Sequence, residues 1–355
     1  MPSRSNPARP ASSRATSRRW KGAWLLGLAV SIALLGWTLH DVNPREVLAH
    51  AGRANPWLLL AAVALMTATF PIRTWRWRLM LSAGDDGRLP WIPMWHATAI
   101  GFMANNLLPA RAGEFARAYV AKRQLPVRFT TALASIGVER VMDGLAMVGL
   151  MAVAIAAPSF PRDTMIGGTS VSRVAGGAAL VFGAVLLVAL AVVHRPAPWL
   201  SFFYRVTHGV LPTRFADRLM QIAEGLIGGL EVLRRPGRFA AVVGWSLVLW
   251  LVNAAGFAVC FRAFGIPVPA EGALLLQAII GFGVALPSSP GFWGIYEIAT
   301  RYTLQVYGIG AGLAVSYAIA YHLATFLPIT ILGLASLTRV HVRLGELQTA
   351  GRAEE

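Results

Sequence analysis

A polar stretch of thirteen residues, 105–117, interrupts a chain that is otherwise strongly apolar. It follows an apolar run, 91–103, that is hydrophobic enough to enter a bilayer. That run is shorter than the roughly 20 residues that a helical crossing needs. Polar side chains at membrane depth are costly and usually lie where something binds or passes. The stretch therefore predicts either a helix end in water or a functional break inside a membrane.

The composition supports a membrane setting. Hydrophobic residues make up 56% of the 355 residues and charged residues 14%, whereas soluble proteins contain about 25% charged residues. The net charge of +16 comes from Lys and Arg in the loops between apolar runs, as expected for loops retained beside anionic headgroups in the cytoplasm. We therefore expect no nucleic-acid partner. The single cysteine, Cys260, excludes an intramolecular disulfide and is expected to be a small core residue.

Six apolar runs are interpreted as membrane-spanning helices, at 23–39, 57–80, 131–157, 175–193, 239–261 and 312–337. The first could be a signal-peptide core, but the sequence after it has no small-x-small cleavage site, so an uncleaved span is expected. Residues 73–78 alternate Arg with Trp, a pattern typical of an anchor at headgroup level. Residues 41–56 are expected to form an external loop.

In the basic loop 195–238, apolar residues at steps of three and four predict an amphipathic helix on the membrane surface: Phe215, Leu219, Ile222, Leu226, Leu230 and Leu233.

Two further apolar regions are expected to form hairpins that enter the membrane and return on the same side. Five basic residues follow 91–108, and charge bias keeps them in the cytoplasm only if this run turns back. The segments 272–286 and 298–307 flank a second break and are also short for a crossing. The predicted fold is an all-α integral membrane protein, a polytopic helical bundle of about six spans plus two opposed re-entrant helical hairpins. Eight full spans remain the alternative, and an inverted repeat is a hypothesis.

The predicted organisation has three parts. Residues 1–21 form a disordered basic cytoplasmic arm, 22–338 the membrane domain, and 339–355 a cytoplasmic tail. Both termini are thus expected in the cytoplasm of a bacterial-type inner membrane.

The first polar group lies at the first break and combines amides, charges and helix breakers: Asn105, Asn106, Pro109, Arg111, Gly113, Glu114 and Arg117. One interpretation is a capped helix end. The other is a headgroup site, in which Arg111 or Arg117 binds a phosphate and Glu114 orients an arginine or pairs with a cationic headgroup.

The second group is Glu139, Arg140 and Asp143. The two carboxylates are four residues apart and share a helix face, so they require a cation between them. Arg140 is expected to point elsewhere, which leaves Arg111 or Arg117 as the source. This group has two possible roles. It is either a structural salt bridge that holds the first hairpin in place, or a relay for protons or cations.

The third group surrounds the second break: Pro287, Pro290, Gly291, Gly294, Glu297 and Arg301. Pro and Gly free backbone groups there, and Glu297 and Arg301 have the favourable i,i+4 order for an ion pair. A plain extracellular turn with a surface pair is the alternative.

Catalytic motifs are absent from the sequence. It contains no Ser nucleophile elbow, no His-x-x-x-His pair and no phosphate-binding Gly loop. We therefore expect neither an enzyme nor a cofactor or metal site. Its histidines are scattered singly.

In their order and spacing these groups resemble the lysylphosphatidylglycerol synthase transmembrane region, a flippase-like family, over about residues 20–340. The matching residues are Asn106, Leu108, Pro109, Gly113, Glu114, Arg117, Glu139, Arg140, Asp143, Pro287, Pro290, Gly291, Gly294 and Glu297. The family usually has a second glycine after Pro-Gly, where this chain has Phe292. The resemblance implies a protein that moves or handles lipids, and it leaves the lipid open.

We therefore expect translocation of a phospholipid or polyprenyl-linked lipid through a polar cavity between the two breaks. In this hypothesis Arg111, Arg117 and Arg140 serve the lipid phosphate, and Glu114, Asp143 and Glu297 supply counter-charges. The expected partners are membrane lipids with a phosphate-bearing headgroup, with a lipid-modifying enzyme or a homo-oligomer as further candidates. The alternative is a non-transporting scaffold for a lipid-modifying or glycosyl-transferring enzyme.

Overall fold

The computed structural model describes residues 28–81, 89–109, 111–162, 195–229, 236–285 and 290–349, with scattered positions between 165 and 191. The predicted arm 1–21, Pro287, Leu230, Leu233 and most of the predicted span 175–193 lie outside the described residues. In chain order the described helices are α1 (Leu28–Leu39), α2 (Pro44–Arg53), α3 (Pro56–Leu81), α4 (Trp91–Leu107), α5 (Ala112–Gln124), α6 (Phe129–Ala156), α7 (Pro196–Val210), α8 (Thr213–Gly229), α9 (Pro236–Ala263), α10 (Ala270–Ala285), α11 (Ile295–Val306), α12 (Ala311–Val340) and α13 (Leu344–Thr349).

The predicted all-α class is confirmed. Besides helices, the described residues form a 3₁₀ turn at Pro290–Phe292 and two antiparallel two-residue strands, β1 (Met165–Ile166) and β2 (Thr169–Ser170). Three described helices, α3, α9 and α12, are long and apolar enough to cross a membrane. Helix α6 has 28 residues, but Glu139, Arg140 and Asp143 interrupt its apolar sequence. The number of crossings and the re-entry of the shorter helices stay predictions.

The first break joins two closely packed helices, α4 and α5. Helix α4 ends at Leu107 before Pro109, and α5 begins after Arg111, whose backbone is left-handed with φ 55°. The Gly113 N–H donates to Asn105 Oδ1 over 2.9 Å and ties the two helix ends together. A Cβ at Gly113 would lie 1.9 Å from the carbonyl oxygen of Gly101. Glycine is therefore required for the close approach of α4 and α5.

The second break joins α10 and α11, which also pack against each other. Gly294, with φ 91°, precedes the first residue of α11. Phe292 has a left-handed backbone with φ 61°, a conformation that glycine adopts at lower cost. This geometry accounts for the glycine that the family pattern usually has at this position.

Helix α12 lies between the two hairpins and packs against both α4 and α11. It contains Pro328 in its interior, which removes one intrahelical hydrogen bond. Near this proline the Asn106 amide donates to Thr330 Oγ1 over 3.0 Å. The 3₁₀ turn of the second break contacts α4. The two breaks are thus brought together against the same part of the bundle.

Two segments differ from expectation. The predicted external loop 41–56 contains α2, which begins at an Asn43 cap whose side chain accepts from Arg45 N–H. The basic loop 195–238 holds two packed helices, α7 and α8, instead of one. Phe215 on α8 is 64% exposed and Phe202 on α7 is 58% exposed, so an apolar surface is available for a lipid interface. Cys260 is fully buried, as predicted.

Candidate functional site

Glu139 and Asp143 on α6 lie at the centre of a buried charge cluster. Arg76 on α3 bridges them, with Nη2 3.2 Å from Glu139 Oε1 and Nη1 2.5 Å from Asp143 Oδ1. The side chains of Arg76 and Glu139 are fully buried, and that of Asp143 is 8% exposed. The required cation between the carboxylates is therefore Arg76, and the sequence pattern alone does not indicate its place in this site.

Arg117 on α5 approaches the same cluster from the first hairpin. Its Nη1 lies 3.0 Å from Glu139 Oε2, and its guanidinium stacks 3.8 Å from the ring centroid of Trp77 on α3. Trp77 is fixed in turn, because its indole N–H donates to Ser135 Oγ over 2.9 Å. The predicted contact of Arg117 with the α6 carboxylates is therefore present for Glu139, whereas Asp143 pairs with Arg76.

Arg140 also belongs to the cluster, and the expectation that it points elsewhere is wrong. Its Nη2 lies 2.7 Å from Glu139 Oε1 and 3.5 Å from Asp143 Oδ2. The long side chain of Arg140 reaches both carboxylates, so sequence spacing alone did not define its direction.

The cluster approaches the surface through the first break. Arg111 Nη2 lies 3.6 Å from Glu114 Oε1, which is 3.9 Å from Arg140 Nε. The side chains of these three residues are 24%, 25% and 29% exposed, respectively. Side-chain exposure thus falls from about a quarter at the break to zero at Arg76 and Glu139.

Arg73, one turn before Arg76 on α3, extends the cluster on its apolar side. It is 7% exposed, and its guanidinium lies 5.0 Å from the ring centroids of both Phe102 and Trp250. Its electrostatic neighbours are the carboxylates of Asp143 and Glu139 and the guanidinium groups of Arg76 and Arg140. The Trp250 indole N–H donates to Asp143 Oδ1 over 3.1 Å.

The predicted headgroup anchor at 73–78 is therefore only partly correct. Arg73, Arg76 and Trp77 are buried, whereas Trp75 is 39% exposed and has Arg78 above its ring. Positions 73, 76, 77 and 80 share one helix face by the i, i+3, i+4, i+7 rule. This periodicity is the feature of the sequence that indicates that Arg73 and Arg76 are buried.

The second break contains a different constellation, centred on Glu297. The expected pairing of Glu297 with Arg301 is absent from the described contacts. The Glu297 carboxylate is fully buried, and its Oε1 lies 2.6 Å from His322 Nδ1 on α12. Its Oε2 accepts from the Gly294 N–H over 2.6 Å. Glu297 therefore caps α11, and an acidic group is favourable at that helix end.

His322 is enclosed by aromatic rings on both faces. Trp293 lies 4.3 Å and Tyr296 4.2 Å away between ring centroids. Nothing near position 322 in the sequence indicated this pairing, because both aromatic residues and the carboxylate come from the second break.

Arg301 pairs with Asp41, which follows α1, and not with Glu297. Arg301 Nη1 and Nη2 lie 2.7 and 2.6 Å from the two Asp41 oxygens, and Nη1 also donates to the Thr38 carbonyl. These hydrogen bonds hold the pKa of the Asp41 carboxyl below its ordinary value. The pair fastens α1 to the second hairpin, so Arg301 lies apart from the buried charge cluster.

Comparison with known proteins agrees with the helical architecture. The lysylphosphatidylglycerol synthase TM region model matches residues 24–333. The chain is 28% identical over 354 residues to glycosyltransferase AglD of Haloferax volcanii, covering 93% of this chain and 56% of that protein. It thus spans about half the length of AglD. Two UPF0104 membrane proteins of Methanothermobacter thermautotrophicus are 24% and 23% identical, each over 87% of this chain and 90% of the relative.

These matches support a multi-pass membrane-embedded protein. Because the family model extends over most of the described helices and both breaks, the chain belongs to the lysylphosphatidylglycerol synthase TM region family.

Proposed function

We propose that this protein translocates a phosphate-bearing lipid between the leaflets of the cytoplasmic membrane, with both termini in the cytoplasm. The observation that carries the proposal is an excess of positive charge in a cluster that is largely buried. Among the described residues of the cluster, Arg73, Arg76, Arg117 and Arg140 supply four positive charges, and Glu139 and Asp143 supply two negative charges. The outer pair of Arg111 and Glu114 is neutral overall and leaves the excess at two.

An uncompensated positive charge is expensive in a low-dielectric interior. A bound anion offsets this cost, and guanidinium groups bind phosphate oxygens in forked geometry. The Nε and Nη2 atoms of Arg117 and the Nε of Arg76 are buried donors without a hydrogen-bond partner among the described residues. They are suited to such an anion. The partly exposed break at Arg111, Glu114 and Arg140 is the proposed entry.

The two breaks support a mechanism of alternating exposure. Both breaks contact the central bundle. At the first, Asn106 donates a hydrogen bond to Thr330 of α12, and at the second, the 3₁₀ turn contacts α4. Pro328 weakens the intervening part of α12 by removing a backbone hydrogen bond. We propose that bending at this point opens the charge cluster to one side and then to the other, with the hairpins re-entrant.

The test is transport in proteoliposomes that contain a fluorescent phosphate lipid and a neutral lipid as reference. Wild-type protein is expected to accelerate leaflet exchange of the phosphate lipid. Arg140→Gln should abolish the acceleration. Arg123→Gln is the matched control, because Arg123 pairs with Glu346 away from the cluster. Exchange that is unchanged in Arg140→Gln, or absent from folded wild-type protein with every phosphate lipid, would remove the proposal.

A non-transporting scaffold is the second candidate. The similarity to AglD, which is named a glycosyltransferase, favours a chain that holds a lipid-linked substrate beside such an enzyme. Stable co-purification with a glycosyl-transferring or lipid-modifying enzyme, together with no leaflet exchange by the isolated protein, would support this alternative. In both cases the chain itself is proposed to be non-catalytic.

A further inference from the structure

We infer that Arg73 is the principal contact for a doubly charged lipid phosphate, either a phosphate monoester or a diphosphate. The inference rests on the proposed lipid function and identifies the headgroup class. Arg73 is 7% exposed. Among the described residues its guanidinium has ring contacts with Phe102 and Trp250 but neither a hydrogen bond nor an ion pair. An acceptor for its five N–H donors would stabilise such a largely buried cation.

The nearby carboxylates are paired with cations other than Arg73. Asp143 Oδ1 accepts from Arg76 Nη1 and from the Trp250 indole. Asp143 Oδ2 has no hydrogen bond among the described residues but lies 3.5 Å from Arg140 Nη2. Glu139 is contacted by Arg76, Arg117 and Arg140. The protein groups described around Arg73 therefore leave its donors available, and the acceptor is expected to come from a ligand.

The two aromatic rings define where that ligand can lie. Phe102 and Trp250 are each 5.0 Å from the Arg73 guanidinium carbon. They stabilise the cation through their ring faces. The N–H groups of Arg73 remain, and they match the paired oxygens of a phosphate. The apolar surroundings of α3 and α4 suit an attached acyl or prenyl chain.

The charge balance selects the type of phosphate. The cluster has an excess of two positive charges when Arg73 is included. A phosphodiester supplies one negative charge, whereas a phosphate monoester supplies about 1.5 to 2 at pH 7. Only a monoester or a diphosphate carries enough negative charge to neutralise the cluster. We therefore expect the protein to bind these headgroups in preference to a phosphodiester headgroup.

Equilibrium binding in detergent tests the inference separately from transport. The probe is fluorescent phosphatidic acid, displaced by unlabelled phosphatidic acid, by phosphatidylglycerol or by inorganic phosphate. Wild-type protein should prefer phosphatidic acid to phosphatidylglycerol by about tenfold or more, which is the effect of a charged hydrogen bond. This comparison needs no variant. Equal displacement by the two lipids would overturn the inference, and equally effective displacement by inorganic phosphate would overturn its assignment to a lipid.

Variants locate the contact. Arg73→Gln should weaken phosphatidic acid binding by about tenfold or more, and Arg73→Lys should retain part of it because the charge remains. Arg78→Gln is the matched control on the same helix, since Arg78 lies over the outer Trp75 ring, and should bind as wild type. Unchanged binding in folded Arg73→Gln would overturn the assignment. Selective binding without leaflet exchange would instead remove translocation and leave this site intact.

Discussion

The Glu297 carboxylate and the His322 imidazole form a buried pair with Oε1 2.6 Å from Nδ1, which links the second break to α12. Glu297→Ala removes the acceptor for both His322 and the Gly294 N–H. We expect it to lower the free energy of unfolding by about 1–3 kcal/mol, the cost of unsatisfied buried polar groups. Thermal unfolding of the purified protein in detergent measures the change.

Two further variants separate this effect from a general loss of acidic charge. Glu297→Gln retains an acceptor for the helix cap and should lose less stability than Glu297→Ala. Glu224→Ala removes an exposed carboxylate from α8 and should change stability by less than about 0.5 kcal/mol. Similar losses in Glu224→Ala and Glu297→Ala would contradict the role of the buried pair.

Because α4 and α5 approach closely, we predict that Gly113→Ala pushes the two helices of the first hairpin apart. Its Cβ would meet the Gly101 carbonyl oxygen at 1.9 Å and Asn105 Oδ1 at 2.5 Å. We expect a loss of about 1–3 kcal/mol from overpacking, measured as a lower unfolding midpoint. Gly149→Ala on α6 is the control, because nothing lies within 4 Å of its added Cβ. Its stability should stay the same or rise, and a fall equal to that of Gly113→Ala would refute the packing argument.

The sequence predicted the local parts of this architecture well. The end of α4 and the turn that follows it were predicted from the apolar run, Pro109 and the basic residues after it. These signals were sufficient because they lie within about one helix length of each other. The family resemblance and the helical class are confirmed. The placement of the hairpins in a membrane remains a prediction, because lengths and charges alone support it.

Long-range pairs were harder to predict. Arg76 and Asp143 are 67 residues apart, and either residue alone was compatible with a water-exposed position. Arg301 had a carboxylate at i−4, yet Asp41, 260 residues away, is its partner. Local spacing gives the available pairs, but helix packing decides which of them form. The charge cluster was therefore predicted with the correct α6 carboxylates and without its central cation.

The central position of Arg76 predicts a large effect of its removal. Arg76→Met leaves Glu139 and Asp143 with less compensation in a buried site, and breaking such a pair typically costs about 3–5 kcal/mol. Because Arg117 and Arg140 still contact Glu139, we expect a loss in the free energy of unfolding near the lower end of this range. Adding Asp143→Asn should restore part of the loss, since both partners of the 2.5 Å contact are then uncharged.

A double-mutant cycle in chemical or thermal unfolding gives the coupling between the two residues. Arg78→Met on the same helix is the control and should stay within about 0.5 kcal/mol of wild type. Additive effects of Arg76→Met and Asp143→Asn would show that the two side chains do not stabilise each other.

The Asp41–Arg301 pair predicts a specific acid dependence of stability. Arg301 lowers the pKa of Asp41 in the folded protein, so the unfolded chain takes up the proton first as the pH falls. The pair therefore stabilises the fold above the ordinary carboxyl pKa, about 3.9 for Asp. This stabilisation is lost as the pH decreases through the lower folded-state value. Unfolding midpoints of wild type and Asp41→Asn, measured from pH 7 to pH 3, should differ most at neutral pH and converge in acid. Other carboxylates titrate in both proteins and cancel in the difference, so a gap that stays constant over this range would exclude the pair as its cause.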